Sequence, residues 1–362
     1  MGTPTVLGLD IGGANLKAAT TDRRAVSAPF ALWQQPDKLP AALAELVGQF
    51  PDAGELAVTM TGELCDCFET KREGVNAIIT AVLNVSRSRP VRVWSTDGAF
   101  LNSEEARCHY LKVAAANWHA LATLAGQYAP DGPALLVDVG STTTDIIPLR
   151  DGKPATAGTT DPARLANREL VYTGVRRTPL CALLGATGAA EFFATTLDVY
   201  LSLGLIPEDP ADTDTADRRP ATRPYAQARL ARMLCGDADT IPPDEVTELA
   251  ERVRETQIDW IASGVRRAVD RLTDVRVRER MRPIVSGSGE FLARAVIDHC
   301  ASDLTDNALS LNEVLGPAVS ACAPAYAVAV LADEVNRRRG GRADDPRVGV
   351  RTTRGLWPWS GS

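Results

Sequence analysis

Aromatic side chains are scarce in this chain: 5% of its 362 residues are Phe, Trp or Tyr, while Ala, Leu and Val are abundant. That balance suits helices packed over a sheet. Positive charge is in deficit, since 39 Lys and Arg against 46 Asp and Glu leave a formal net charge of −7. This balance argues against a sequence-independent nucleic-acid binder, which would need a basic surface, and leaves local arginine clusters as candidate anion sites. No run approaches the roughly 20 apolar residues of a membrane-spanning helix. The N-terminus lacks a basic segment followed by an apolar one, so neither membrane spanning nor export is expected. Disulfide spacing is missing too. The cysteines number seven, an odd count, and are scattered over Cys65, Cys67, Cys108, Cys181, Cys235, Cys300 and Cys322. A reduced, cytoplasmic protein is expected. Histidine occurs three times, and the Cys65-Asp66-Cys67 and Cys108-His109 groups fit no standard zinc spacing. They read as buried thiols.

What the chain does have is two glycine-rich turns, each opening on an aspartate: Asp10-Ile11-Gly12-Gly13-Ala14-Asn15 and Asp138-Val139-Gly140-Ser141-Thr142-Thr143-Thr144-Asp145. Each lies between two apolar runs (5–9 and 16–20; 134–137 and 146–149), the pattern of a β-hairpin with a glycine-containing tip. Glycines let backbone N–H groups close on phosphate oxygens, and a strand-end aspartate holds Mg²⁺ directly or through water. The pair reads as two halves of one phosphate clamp.

Around these turns the spacing predicts an alternating α/β lobe over 1–130, with helices at 41–50 and 74–85 and strands at 56–59 and 91–94. The pattern from 103 to 129 is helical, interrupted at Asn117-Trp118. A second α/β lobe is expected over 131–335. It carries an irregular, substrate-facing insert at 156–224, helices at 225–234 and 243–272, a strand at 282–286 and a helix at 291–298. The last regular element spans 315–337, and a flexible tail is expected over 338–362.

Two aspartate-glycine hairpins followed by the turn Ser286-Gly287-Ser288-Gly289-Glu290 resemble the actin, sugar-kinase and heat-shock-chaperone superfamily. The resemblance implies a two-lobed actin-like ATPase (ribonuclease H-like) fold with duplicated β-hairpin phosphate loops, the third turn matching the adenosine loop. The second loop and Glu169-Tyr172-Thr173-Gly174 look like the hydantoinase A and oxoprolinase branch. A narrower set of motifs runs in order through the chain. It comprises Met60-Thr61-Gly62-Glu63-Leu64-Cys65-Asp66 with Lys71 and Gly74-Val75, Ala115-Ala116-Asn117-Trp118, Tyr172-Thr173-Gly174 with Arg177-Thr178-Pro179, and Asp212-Thr213-Asp214-Thr215-Ala216-Asp217. These resemble the tetrahydromethanopterin-linked C1-transfer pathway proteins, the family that includes the archaeal methanofuran ether synthase. Against hydantoinase-type loops the chain has Ala14 in place of Thr, and Lys17 resembles the phosphate-contacting lysine of actin.

The family's implied reaction joins an aminomethylfuran methyl diphosphate to the phenol of a γ-glutamyl tyramine or tyrosine and releases diphosphate. On this expectation Asp10 and Asp138 position Mg²⁺, Lys17 neutralises charge, and Gly12, Gly13, Asn15, Gly140, Ser141, Thr142 and Thr143 bind phosphate. ATP need not take part. Glu63 either orients the phenol or caps the following segment; Asp145 either holds its loop or acts as a base. Arg164, Arg168, Arg176 and Arg177 either grip substrate carboxylates or are merely solvated. Trp118 either packs or stacks on a substrate ring. Small-molecule partners are implied, and a homo-oligomer stays open. Two rivals remain: an ATP-dependent hydantoinase-like hydrolase or small-molecule kinase, and a nucleotide-binding sensor with little chemistry.

Overall fold

The computed structural model describes residues 5–272, 281–300 and 307–343. Its frame is two six-stranded sheets. In the first, β1 (Thr5–Ile11), β2 (Asn15–Thr20), β3 (Ala25–Pro29), β4 (Ala53–Met60), β5 (Val91–Trp94) and β6 (Phe100–Leu101) lie in the order β3-β2-β1-β4-β5-β6. The first three form an antiparallel meander, while β4 pairs parallel with β1 and β5 with β4. Both central strands are buried on two faces, so they read as continuous apolar runs and not as alternating ones.

The second sheet repeats the plan with β7 (Pro133–Val139), β8 (Thr144–Arg150), β9 (Lys153–Pro154), β10 (Leu170–Val171), β11 (Arg282–Ser286) and β12 (Leu309–Ser310). Its order is β10-β8-β7-β11-β12, with β9 beside β8. An antiparallel hairpin is again followed by two parallel strands. The hairpin β7–β8 therefore corresponds to β1–β2, and β11 to β4.

Helices α1 (Leu39–Gly48), α2 (Lys71–Val85), α3 (Ser103–Cys108) and α4 (Tyr110–Val113) belong to the first lobe, and α5 (Asn117–Gly126) leads out of it. The second carries α6 (Asp161–Asn167), α7 (Leu180–Leu184), α8 (Thr196–Ser202), α9 (Arg223–Met233), α10 (Pro243–Leu272) and α11 (Glu290–Cys300). Then come α12 (Leu311–Leu315), α13 (Pro317–Ala321) and α14 (Ala323–Ala343). The long α10 lays its buried stripe, including Val253, Ile261 and Val265, into the core of the second lobe. Helices α5 and α14 bury their alanines between the sheets, in one cluster with Val6 and Ala57 of the first and Leu136 and Ile284 of the second. Helix α14, the last element among the described residues, packs across β1, β2 and β4.

The α/β plan with two glycine-tipped hairpins is as expected from the sequence. Local details differ. The 103–129 segment breaks at Ala114–Ala116, where Ala115 takes φ 48°, so Asn117 and Trp118 begin α5 and do not interrupt a helix. The 156–224 stretch holds α6, β10, α7 and α8, helices of 7 residues or fewer that are too short to show a period. Helix α14 runs on to Ala343, and 344–362 lie outside the described residues. Among the described residues no helix is long and apolar enough to cross a membrane.

Close packing of α14 on β1 depends on Gly8, where an added Cβ would lie 1.8 Å from the Ala325 carbonyl oxygen. Gly8→Ala should therefore cost at least about 2 kcal/mol in denaturant unfolding, as for an overpacked core. At Gly48 an added Cβ meets nothing within 4 Å, so Gly48→Ala should be neutral or stabilising by up to about 1 kcal/mol.

Candidate active site

Each hairpin tip is tied from behind by its carbonyls. In the first, Gly12 N–H donates to the Asn15 carbonyl at 3.0 Å, while Phe30 and Leu32 N–H donate to the Ala14 and Gly13 carbonyls at 3.0 and 2.9 Å. The N–H groups of Gly13 and Ala14 donate to nothing among the described residues. In the second, Gly140 N–H donates to the Thr143 carbonyl at 2.9 Å. Val175 N–H takes the Gly140 carbonyl, and both Arg176 and Arg177 N–H take that of Ser141, each at 3.0 Å. Ser141, Thr142 and Thr143 N–H are left free among the described residues. Carbonyls pulled back and N–H groups left over make a concavity for an anion. Close backing requires Gly174, where a Cβ would stand 2.5 Å from the Gly140 oxygen and 2.6 Å from Thr142 N.

The register places Asp10 opposite Lys17 and Asp138 opposite Asp145, with Ser286 of β11 beside Asp138 on its other side. Asp10 is 5% exposed and its Oδ1 has no hydrogen-bond partner. Burial pushes its carboxyl above the usual range, with Lys17 opposing. Burial, reinforced by the neighbouring Asp145 charge, pushes Asp138 up to about 6. Lys17 reaches both carboxyls electrostatically yet forms no ion pair within 4.0 Å among the described residues. Asp10 is buried and Asp138 partly so, with Ser286 hydrogen-bonded to Asp138, and neither carboxylate has an ion-pair partner within 4.0 Å among the described residues. That suits Mg²⁺, which binds through one or two carboxylates and completes its shell with phosphate oxygens and water. Among the described residues no three or more His, Cys, Asp or Glu side chains converge as a metal site.

Asp145 and Arg164 are corrected by the structure. Arg164 is 1% exposed; its Nη2 pairs with Asp145 Oδ1 at 2.7 Å, and its guanidinium lies 4.0 Å from the Trp118 ring centroid. The pair ties α6 to β8, so Arg164 is neither a solvated side chain nor free of a carboxylate partner, and Asp145 is ion-paired at the loop. Trp118, 2% exposed beneath that guanidinium, packs and does not stack on substrate. Arg176 is committed to Asp212 at 2.6 Å. Arg168 caps α6 in the left-handed region, φ 59°. Arg177 differs: it stands over the Trp33 ring of the other lobe at 5.2 Å and forms no ion pair among the described residues. Cys65, whose Sγ would lie 2.7 Å from a Cβ on Gly13, lines the first loop, and burial pushes its thiol up to about 11.

Glu63 follows β4 in the first lobe and is 1% exposed. Burial pushes its carboxyl up to about 7, with Lys71 opposing and Asp161 adding to the rise. Lys71 Nζ lies 3.9 Å from Glu63 Oε1 and 3.0 Å from Asp161 Oδ2, tying α2 to α6 across the lobes. The Ser286–Glu290 turn abuts the second loop: a Cβ on Gly287 (φ 92°) would lie 2.7 Å from Asp138 Oδ1, and Gly289 N–H donates to the Val139 carbonyl at 2.9 Å. Sequence reasoning missed Lys71–Asp161, Trp33–Arg177 and the backing by Phe30 and Leu32, because all join distant segments. Only the aromatic-basic character of Trp33 and Arg177 hinted at a pair.

The hydantoinase/oxoprolinase family model matches residues 55–335. A relative from Methanocaldococcus jannaschii, (4-{4-[2-(γ-L-glutamylamino)ethyl]phenoxymethyl}furan-2-yl)methanamine synthase, is 35% identical over 340 residues, covering 90% of this chain and 97% of its own. The synthase of the same name from Methanococcus vannielii is 33% identical over 209 residues, covering 56% of this chain and 91% of its own. Among solved structures, nucleotide-free acetone carboxylase aligns with a TM-score of 0.50 at 10% identity, over 90% of this chain and 70% of that one.

Two outcomes follow from the buried charges. Arg164→Met leaves Asp145 uncompensated and should cost about 3–5 kcal/mol in denaturant unfolding, most of it recovered when Asp145→Asn is added. Glu63 binds its proton more tightly folded than unfolded, so its contribution to stability is full below about pH 4.5 and is lost as pH rises through about 7. Over that window Glu63→Gln should remove a decline of up to about 3 kcal/mol, read by unfolding titrations at successive pH values.

Proposed function

The chain belongs to the hydantoinase/oxoprolinase family, and from that premise we propose that it is a transferase forming an aryl ether in methanofuran-type cofactor biosynthesis. It joins an aminomethylfuran methyl diphosphate to the phenol of a γ-glutamyl tyramine or tyrosine. The named relatives' product contains this phenoxymethylfuran linkage. The observation that carries the mechanism is the pair of opposed N–H concavities flanked by Asp10, Asp138 and the unpaired Lys17.

In the reaction the phenol oxygen forms a bond to the furylmethyl carbon as the bond from that carbon to diphosphate breaks. The electron pair leaves with diphosphate, and the phenol proton goes to a base. A furylmethyl centre delocalises positive charge, so the main task of the protein is to stabilise the departing anion. Gly13, Ala14, Ser141, Thr142 and Thr143 N–H groups receive its oxygens, and Lys17 offsets charge between the loops. Bound Mg²⁺, held by Asp10 and Asp138, supplies Lewis-acid neutralisation of the same oxygens. Arg177, free of carboxylates and poised over Trp33, is the arginine suited to a substrate carboxylate. ATP is not required, and the Ser286–Glu290 turn serves to brace Asp138.

The purified protein, incubated with Mg²⁺ and both substrates without ATP, should yield the ether and diphosphate in equal amounts by mass spectrometry. No ether, with ATP hydrolysed once a small-molecule acceptor is added, would overturn this in favour of a phosphotransferase. Asp10→Asn and Asp138→Asn should each lower ether formation at least about 10³-fold. Both should at the same time raise the thermal stability of the metal-free protein, because each removes a carboxylate that burial disfavours. EDTA should abolish turnover.

A further inference from the structure

We propose that Glu63 is the base that takes the phenol proton, set beside the first phosphate loop by β4 and steadied by Lys71 across the lobes. This rests on the ether-forming function above. Where β4 ends, Thr61 and Gly62 N–H both donate to the Ile11 carbonyl, at 3.0 and 2.9 Å, so this segment runs alongside the loop. Gly62 lies against Gly12, where an added Cβ would stand 3.2 Å from the Gly12 carbonyl carbon. Helix α2 closes from behind: a Cβ on Gly74 would lie 2.2 Å from the Glu63 carbonyl oxygen, fixing the backbone from which the carboxylate projects.

The two carboxylate oxygens have different surroundings. Oε1 lies on the Lys71 side at 3.9 Å, while Oε2 is buried with no hydrogen-bond partner. A buried carboxylate oxygen without a donor is a costly arrangement unless some ligand hydroxyl supplies one. The groups facing the Glu63 carboxylate are its own backbone N–H, Lys71 on α2, Asp161 on α6, the Ala115 N–H and the Cys65 thiol, and none of them occupies Oε2. Lys71 gives its short contact to Asp161, leaving Glu63 with a distant positive charge. Such a group exchanges its proton near neutral pH, the range in which a carboxylate base is both available and strong enough to assist a phenol. The proton passes from the phenol oxygen to Oε2 as the carbon–oxygen bond forms, and from Glu63 to solvent after product release. Glu290, which follows β11 as Glu63 follows β4, also has a buried Oε2 without a partner, but its Oε1 is paired with Arg294 of its own helix at 3.2 Å, whereas Glu63 faces charges from both lobes.

The test compares wild type, Glu63→Gln and Glu63→Asp, measuring ether and diphosphate across pH 6–8 with the natural phenol and with ring-fluorinated, more acidic analogues. Binding of Mg²⁺-diphosphate by calorimetry serves as the control for folding and for the loops. For Glu63→Gln the expected result, at saturating Mg²⁺ and substrates, is a loss of about 10²–10³-fold in ether formation, with diphosphate affinity unchanged and the part of the rise of rate centred near pH 7 lost. Fluorinated phenols should restore a good part of that loss in the Gln variant and change wild type little. Glu63→Asp should keep the pH-dependent rise at a lower rate. Three results would overturn the proposal: a Gln variant with the wild-type rate and pH profile, a loss equal for every phenol, or a loss accompanied by failure to bind diphosphate in both variants. Absence of ether from wild type would instead overturn the function on which the proposal stands, and the proposal with it.

Discussion

Two carboxylates enclosed between lobes without a cation set the terms for the rest of this molecule. Asp10 and Asp138 end the central strands of their sheets, and burial raises both carboxyls, Asp138 to about 6. Asp10 Oδ1 has no hydrogen-bond partner, and a buried, unpartnered carboxylate oxygen is costly, while Asp138 is hydrogen-bonded by Ser286. On the proposed function, an anion bringing its own cation would offset this cost, so that metal and diphosphate would link binding to stability.

The device is built twice, from the same parts in the same order. A hairpin supplies each loop, and a following parallel strand delivers a braced segment beside it: Thr61-Gly62 next to Gly12, Gly287 and Gly289 next to Val139. The backing differs between lobes. In the first it is the edge of β3 and the turn after it; in the second it is the Gly174 turn, itself held from within by Gln257. Gln257 Nε2 donates to Thr173 Oγ1 and to the Gly174 carbonyl, both at 2.8 Å. The irregular part of the second lobe thus supports the loop from behind, a job that residues far along the chain perform. Charge bridges the lobes through Lys71–Asp161, and Arg164 carries the same helix on to Asp145.

The hairpins, their glycines and their aspartates were legible in the sequence because all the information is local: apolar runs of strand length, a glycine tip, an acid at a fixed place. Resemblance along the chain extended this to the two-lobed fold and to the ether-forming reaction. What was not legible depended on partners distant in sequence. Arg164 in a helix of 7 residues looks like any surface arginine until Asp145 and Trp118 are brought to it. Glu63 was readable as a candidate beside a strand end, but its burial, and with it a carboxyl near neutrality, needs α2 and α6 in place. The short helices of the 156–224 stretch escaped because a pattern of 3.6 residues per turn needs more than two turns to register.

The central claim is that the paired loops and two aspartates receive a diphosphate with its cation and have no need of adenosine. Calorimetric titration of the protein with diphosphate, with and without Mg²⁺, tests this most directly, run at pH 6 in buffers of different ionisation enthalpy and repeated with Asp138→Asn. Binding is expected only when Mg²⁺ is present, with protons released as Asp138 ionises and a smaller release in the variant. Diphosphate that fails to bind while Mg²⁺-ATP binds, or a proton release identical in wild type and variant, would contradict it.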